Sequence, residues 1–187
     1  MAVVIHGTRT NNTDIITPDF PGAVIQIVQG NKTDTFSTSA NLATKATVTG
    51  LSASITPTSA TNKILVQLHM HIGGSINTHV AGLILRDSTE IGIADANGSR
   101  TRNSFAVGIR ADYNGSAGSA DWTTAMVSQC VLDSPATTSA ITYSVKIGGN
   151  GSATCTVNFD ERNTDGDTDT SICMSSITLY EVVASWV

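Results

Sequence analysis

Lys63-Ile64-Leu65-Val66-Gln67-Leu68-His69-Met70-His71-Ile72 decides the fold class. Ile64, Val66, Leu68, Met70 and Ile72 recur at every second position. Leu65, Gln67, His69 and His71 occupy the alternate ones. A period of two puts successive side chains on opposite faces of a strand, whereas a helix needs a period of 3.6. The stretch therefore reads as a long strand with one apolar face and one mixed face.

The same pattern extends outward in both directions. Further strands are predicted at 23–29, 43–48, 51–56, 80–86, 89–94, 105–113, 122–132, 141–147, 153–159 and 172–183. No window of helical length carries an apolar stripe. Asn97-Gly98, Asn114-Gly115 and Asn150-Gly151 stand between apolar runs. Such pairs supply the positive φ angles of tight hairpins. Many short strands at this spacing predict an all-β, jelly-roll-like β-sandwich over residues 22–187. Residues 1–21 differ: they lack alternation, and Pro18 and Pro21 bias their neighbours away from helix. That segment is expected to be an extended N-terminal arm.

Composition narrows the function. Only 13% of the 187 residues are charged, and serine and threonine make up roughly a quarter. Threonine suits pleated surfaces, and a hydroxyl-rich surface suits extracellular and virion β-proteins. The net charge is −5 and the ten basic residues are scattered along the chain. Phosphate binding needs clustered cations, so no nucleic-acid partner is expected. No apolar run reaches the roughly 20 residues of a membrane helix, so no membrane partner is expected either. Met1-Ala2-Val3-Val4-Ile5 is shorter than a secretory core of about 7–15 residues. Synthesis in a cytoplasm follows. Cys130, Cys155 and Cys173 are too few and too widely spaced for a disulfide framework or a zinc site. They read as buried thiols, with Cys155 and Cys173 on adjacent predicted strands.

Thr49-Gly50-Leu51-Ser52-Ala53-Ser54-Ile55-Thr56-Pro57-Thr58-Ser59, running on to Asn62-Lys63-Ile64-Leu65-Val66, resembles a β-module of marine, cyanophage-type bacteriophages. The module occurs in tail-fibre ends and small virion surface proteins. Pro21 to Gln29 looks like its first strand and Ser175 to Val182 like its last. The resemblance implies a virion protein with a jelly-roll-like fold, usually trimeric, and carries over no catalytic residue. A short arm in place of a long shaft favours a head-decoration protein over a fibre. On the residues alone, Pro57 closes one strand because it cannot donate to a ladder. The link 58–62 then makes a hairpin-like or sheet-switching unit.

Candidate sites are few. His69 and His71 share one strand face, and a trimer with this strand on its axis would gather six imidazoles, enough for an octahedral structural metal. The pair is similar to His-X-His pairs in phage fibre tips that hold iron; the alternative is a polar outer face. Tyr113 and Trp122 flank the loop 114–121 and are candidates for stacking on a host polysaccharide; the alternative is that both rings lie in the core. Asp165-Gly166-Asp167-Thr168-Asp169 resembles a calcium loop, but Thr170 and Ser176 stand where the EF-hand pattern needs glycine and an acid. A solvated acidic loop is the plainer reading. Five Asn-X-Ser/Thr sequons, at Asn11, Asn31, Asn97, Asn114 and Asn150, are explained by composition and turn chemistry. A nucleophile elbow, a His-Glu-X-X-His helix and a phosphate loop are all absent from the sequence.

The sequence thus predicts a non-enzymatic virion structural protein without a cofactor, unless the histidine pair holds a metal. It would be a homotrimer on the virion surface, docked by its arm on the major capsid protein or another virion protein. The alternative is a short tail-fibre or spike tip that binds a host surface glycan.

Overall fold

The structure, a computed structural model, describes residues 21–75, 77–109, 124–160 and 171–184. Among these, the strands are β1 (Val24–Lys32), β2 (Phe36–Thr38), β3 (Ala46–Ile55), β4 (Lys63–Gly74), β5 (Thr78–Arg86), β6 (Thr89–Ile91), β7 (Phe105–Ile109), β8 (Thr124–Asp133), β9 (Ile141–Gly149), β10 (Cys155–Val157) and β11 (Ser175–Val182). The arm expected at 1–21 lies, except for Pro21, outside the described residues.

Two antiparallel sheets form the molecule. In the first, β4 is flanked by β8 on one side and by β11 on the other, and β11 pairs in turn with β1. In the second, β5 is flanked by β7 and β9, and β9 pairs with β3. The long strands therefore run β1-β11-β4-β8 and β3-β9-β5-β7. Every link between successive long strands crosses from one sheet to the other, except β5 to β7. That is the double Greek key of a jelly roll.

Alternation on β4 places the core. Ile64, Val66, Leu68, Met70 and Ile72 are wholly buried. Facing them across the sandwich are Leu51 and Ile55 of β3, Ile84 of β5 and Val145 and Ile147 of β9. Each such side chain contributes roughly 1.5–3 kcal/mol by leaving water. β1 and β3 close one edge of the sandwich. They approach so tightly that a Cβ on Gly30 would lie 1.9 Å from Ser52 O, so only glycine fits there.

The details correct several expectations. The segments 43–48 and 51–56 are one strand, β3, whose register slips between Thr47 and Ser52. Gly50 takes a positive φ of 81° at that irregularity. Asn150-Gly151 does make a turn, with Gly151 at φ 65°. It joins β9 to β10 in the opposite sheet, so it makes no hairpin. Asn97-Gly98 lies in the link between β6 and β7, which occupy one edge of β5 in line and do not pair with each other. Asn114-Gly115 lies outside the described residues. The tight hairpin is instead β5–β6, where Arg86 faces Thr89 across Asp87-Ser88. Of the two readings of Pro57 and its link, sheet switching is correct.

Two buried carboxylates flank Ile64 at one end of the sandwich. Glu181 faces inward on β11 and is fully buried. Its Oε1 accepts from Thr58 N, Thr58 Oγ1 and Asn62 Nδ2, all at 2.7 Å. Gln26 of β1, with its amide turned to donate, reaches Oε2 at 3.2 Å. Asp133 of β8 accepts from Arg86 Nη1 (2.8 Å) and from Tyr143 OH (2.7 Å), both from the second sheet. Burial and the carboxylate beside it hold the Tyr143 hydroxyl far above the ordinary phenol range.

Glu181→Gln keeps the shape but turns an acceptor oxygen into a donor facing buried donors. Such a mismatch costs roughly 2–4 kcal/mol. Urea unfolding is therefore expected to show a lower midpoint at unchanged slope, and an unchanged midpoint would refute the role given to this carboxylate.

Candidate functional site

β4 carries its second face to the outside of the first sheet. His69 and His71 point outward and are half-buried, as their parity requires. The register sets their neighbours in rows. One row is Leu132, Leu65, Tyr180 and Ile27. The next is Cys130, Gln67, Thr178 and Gln29. His69 lies between Ser128 and Ser176, with Asn31 beyond, and His71 faces Met126. Within the face, Tyr180 OH donates to Gln67 Oε1 (3.1 Å) and Gln29 Nε2 to Thr178 Oγ1 (2.8 Å).

Two properties set this surface apart. It is almost free of charged residue types: these rows contain no lysine, arginine, aspartate or glutamate, and Lys63, at the end of β4, donates to Ser134 Oγ at 2.6 Å. It also exposes large apolar side chains, with Ile27 at 62%, Met126 at 64% and Leu132 at 60%. An apolar row bordered by uncharged polar groups marks a surface that loses little on leaving water.

The backbone beneath the histidines is rigidly held. His71 N donates to Ser175 Oγ (3.0 Å) and His71 O accepts from Asn158 N (3.0 Å). Asn158 is fully buried at φ 71°. Its Nδ2 donates to Lys32 O (2.9 Å) and Asp34 O (2.8 Å), and its Oδ1 accepts from Ser175 Oγ (2.6 Å). These bonds span the breaks between β1 and β2 and between β10 and β11. They supply what the interrupted backbone ladders lack.

Among the described residues, this face provides two imidazoles. No group of three histidine, cysteine or acidic residues suited to a metal occurs among the described residues. Cys130 is opposite Gln67, one diagonal step from His69. Among the described residues, a metal at the histidine pair would therefore have these two imidazoles as its side-chain ligands from one chain. The three cysteines are free thiols. Cys155 is buried, and burial pushes its thiol up to about 11. Cys173 is half-buried. Cys130 is exposed, contrary to expectation, because its parity on β8 aims it outward. Tyr113, Trp122 and the Asp165–Asp169 loop lie outside the described residues.

Sequence reasoning found the histidines and missed the rows around them. Met126, Cys130 and Leu132 come from β8, where Val127 and Val131 at the other parity are also apolar. Alternation alone therefore could not assign its outer face.

Comparison with known proteins adds a likeness of shape. No family model and no curated protein matches the chain. Among solved structures, the VP2 subviral particle of infectious bursal disease virus is 13% identical with a TM-score of 0.39, covering 97% of this chain and 42% of that one. The Gx strain of the same virus gives 14% identity and a TM-score of 0.38, covering 97% and 42%. The chain thus spans about two fifths of the length of the structures it matches.

If His69 and His71 bind metal between copies, elemental analysis of the purified protein should find a transition metal at a fixed ratio to trimer. The double variant His69→Ala/His71→Ala should lack it. A metal-free wild-type protein ends the metal reading.

Proposed function

We propose that this chain is a non-enzymatic structural protein of a bacteriophage virion, a head-decoration protein. It assembles as a homotrimer and docks on the major capsid protein or another virion protein through residues 1–21. The observation that carries the reading is the convergence at Glu181. The three segments that resemble the phage module contribute Gln26, Thr58 with Asn62, and Glu181 itself. The resemblance thus follows one connected piece of internal architecture rather than scattered matches.

Two further observations support it. The uncharged outer face of the β8-β4-β11-β1 sheet suits contact between copies: a chain of net charge −5 self-associates most readily where it carries no charge. The buried carboxylates Glu181 and Asp133 are each saturated by several donors, so neither is free to act as a general acid or base.

Removing residues 1–21 is expected to leave the trimer intact by light scattering and to abolish incorporation into particles. Truncated protein that still joins particles would overturn the docking role, and an arm that joins a tail component would favour a glycan-binding fibre tip instead. Leu132→Lys together with Ile27→Lys is expected to convert trimer to monomer with an unchanged circular dichroism spectrum. Cys130 offers an internal reporter. In the native assembly it should resist a maleimide reagent, and in the double lysine variant it should react. A wild-type monomer with a freely reactive Cys130 would refute the trimer face.

A further inference from the structure

We infer that a cleft on the opposite sheet binds an acidic sugar, through its carboxylate and its ring. The cleft holds about 300 Å³ and opens on the outer face of the β3-β9-β5-β7 sheet. Its floor is Leu83 of β5 and Lys146 of β9, which are register partners. The turn 40–45 forms one wall and the link 92–104 the other, with Glu90 of β6 beside them.

Both walls are built rather than draped. The turn 40–45 seats on the end of β9: Gly149 N donates to Ala40 O at 2.9 Å. A Cβ on Gly148 would lie 2.3 Å from Asn41 O, so the seat needs glycine. Asn41 Oδ1 then accepts from Ala43 N and Thr44 N. The second wall is tied by Ala94 N to Asn103 O (3.3 Å) and by Ser104 Oγ to Ile91 O (2.8 Å).

These walls bring together three of the chain's ten basic residues, Lys45, Arg102 and Lys146. Among the described residues none of the three is in an ion pair. Lys45 is only 8% exposed and sits at φ 24°, a conformation that side chains other than glycine adopt at a cost. Its Nζ donates to Leu42 O alone among the described residues, which leaves two N–H groups unused. Burial holds its ammonium below the usual lysine range, so an anion arriving there would restore what desolvation took away. Arg102 spends Nε on Ala94 O (2.6 Å), and among the described residues neither Nη has a partner, so the two can grip a carboxylate at two points.

The remaining groups choose among anions. Glu90 opposes a multiply charged phosphate but accepts hydrogen bonds from sugar hydroxyls. Thr44 and Thr101 add hydroxyls, and Leu83 offers an apolar floor to the C–H face of a ring. Three cations against one carboxylate leave two positive charges in excess, which attracts a carboxylate ligand, and the volume suits one sugar unit. This inference does not depend on whether the protein sits on a head or a tail.

Titration calorimetry of the full chain with glucuronate, neutral glucose and inorganic sulfate tests it. Glucuronate is expected to bind, and glucose to bind undetectably. Arg102→Ala and Lys146→Ala, each partly or fully exposed and so safe for the fold, should each weaken glucuronate by about tenfold or more. Glu90→Gln should raise the affinity for sulfate relative to glucuronate. A polyuronate chain binding more tightly per site than free glucuronate identifies a polysaccharide as the source, and equal affinities identify the free sugar. No binding of glucuronate, sulfate binding more tightly than glucuronate to the wild-type protein, or affinity unchanged in both cation variants would overturn the proposal.

Discussion

A carboxylate removed from water without a cation beside it must be satisfied entirely by neutral donors. Glu181 is in that position, and its donors come from the link 56–62 and from β1. The link is the chain's passage from the β3 sheet to the β4 sheet. Holding it under β11 therefore fixes where β4 starts and, with β4, the parity of every residue on the central strand. A slip of one residue would turn Ile64, Val66 and Leu68 outward and His69 and His71 inward. The buried acid therefore fixes the register on which the outer face depends.

In each sheet one position beside the central strand is shared by two strands in line, and each break is bridged by side chains. In the first sheet Asn158 and Ser175 span the gap between β10 and β11. In the second, Ser104 donates to Ile91 O and accepts from Ile84 N between β6 and β7. None of this was legible in the sequence. β2 and β10 are three-residue stubs, too short to show a period, and the side chains that serve them act through backbone groups that are distant along the chain. What the sequence did display was β4, because a ten-residue alternation has no rival reading. The Asn-Gly pairs showed where the chain turns but not which strands the turn joins. In a fold where nearly every long link changes sheets, turn chemistry does not imply strand pairing.

The candidate sites divide in the same way. His69 and His71 were placed correctly on an outer face because parity is local. The rows beside them were hidden, since β8 is apolar at both parities. The cleft was hidden more deeply. Lys45, Arg102 and Lys146 are far apart along the chain, and their even linear spread reads as an absence of any basic patch. The jelly roll undoes that spread by setting β9 against β5 and folding two links over the pair.

The two outer surfaces of the sandwich thus differ in kind. One mixes exposed apolar and uncharged polar side chains, carried on regular strands and fixed by register. The other is overlaid by links and gathers cations around a concavity. An uncharged sheet face with exposed apolar side chains is stabilised by covering it with another surface, because little desolvation opposes the contact. A charged cleft with unused donors is stabilised instead by a small ligand carrying the complementary charge. Because the sandwich separates the two, a partner covering the first, as proposed above, would leave the second facing solvent. The proposed assembly and the proposed ligand cleft therefore draw on different residues.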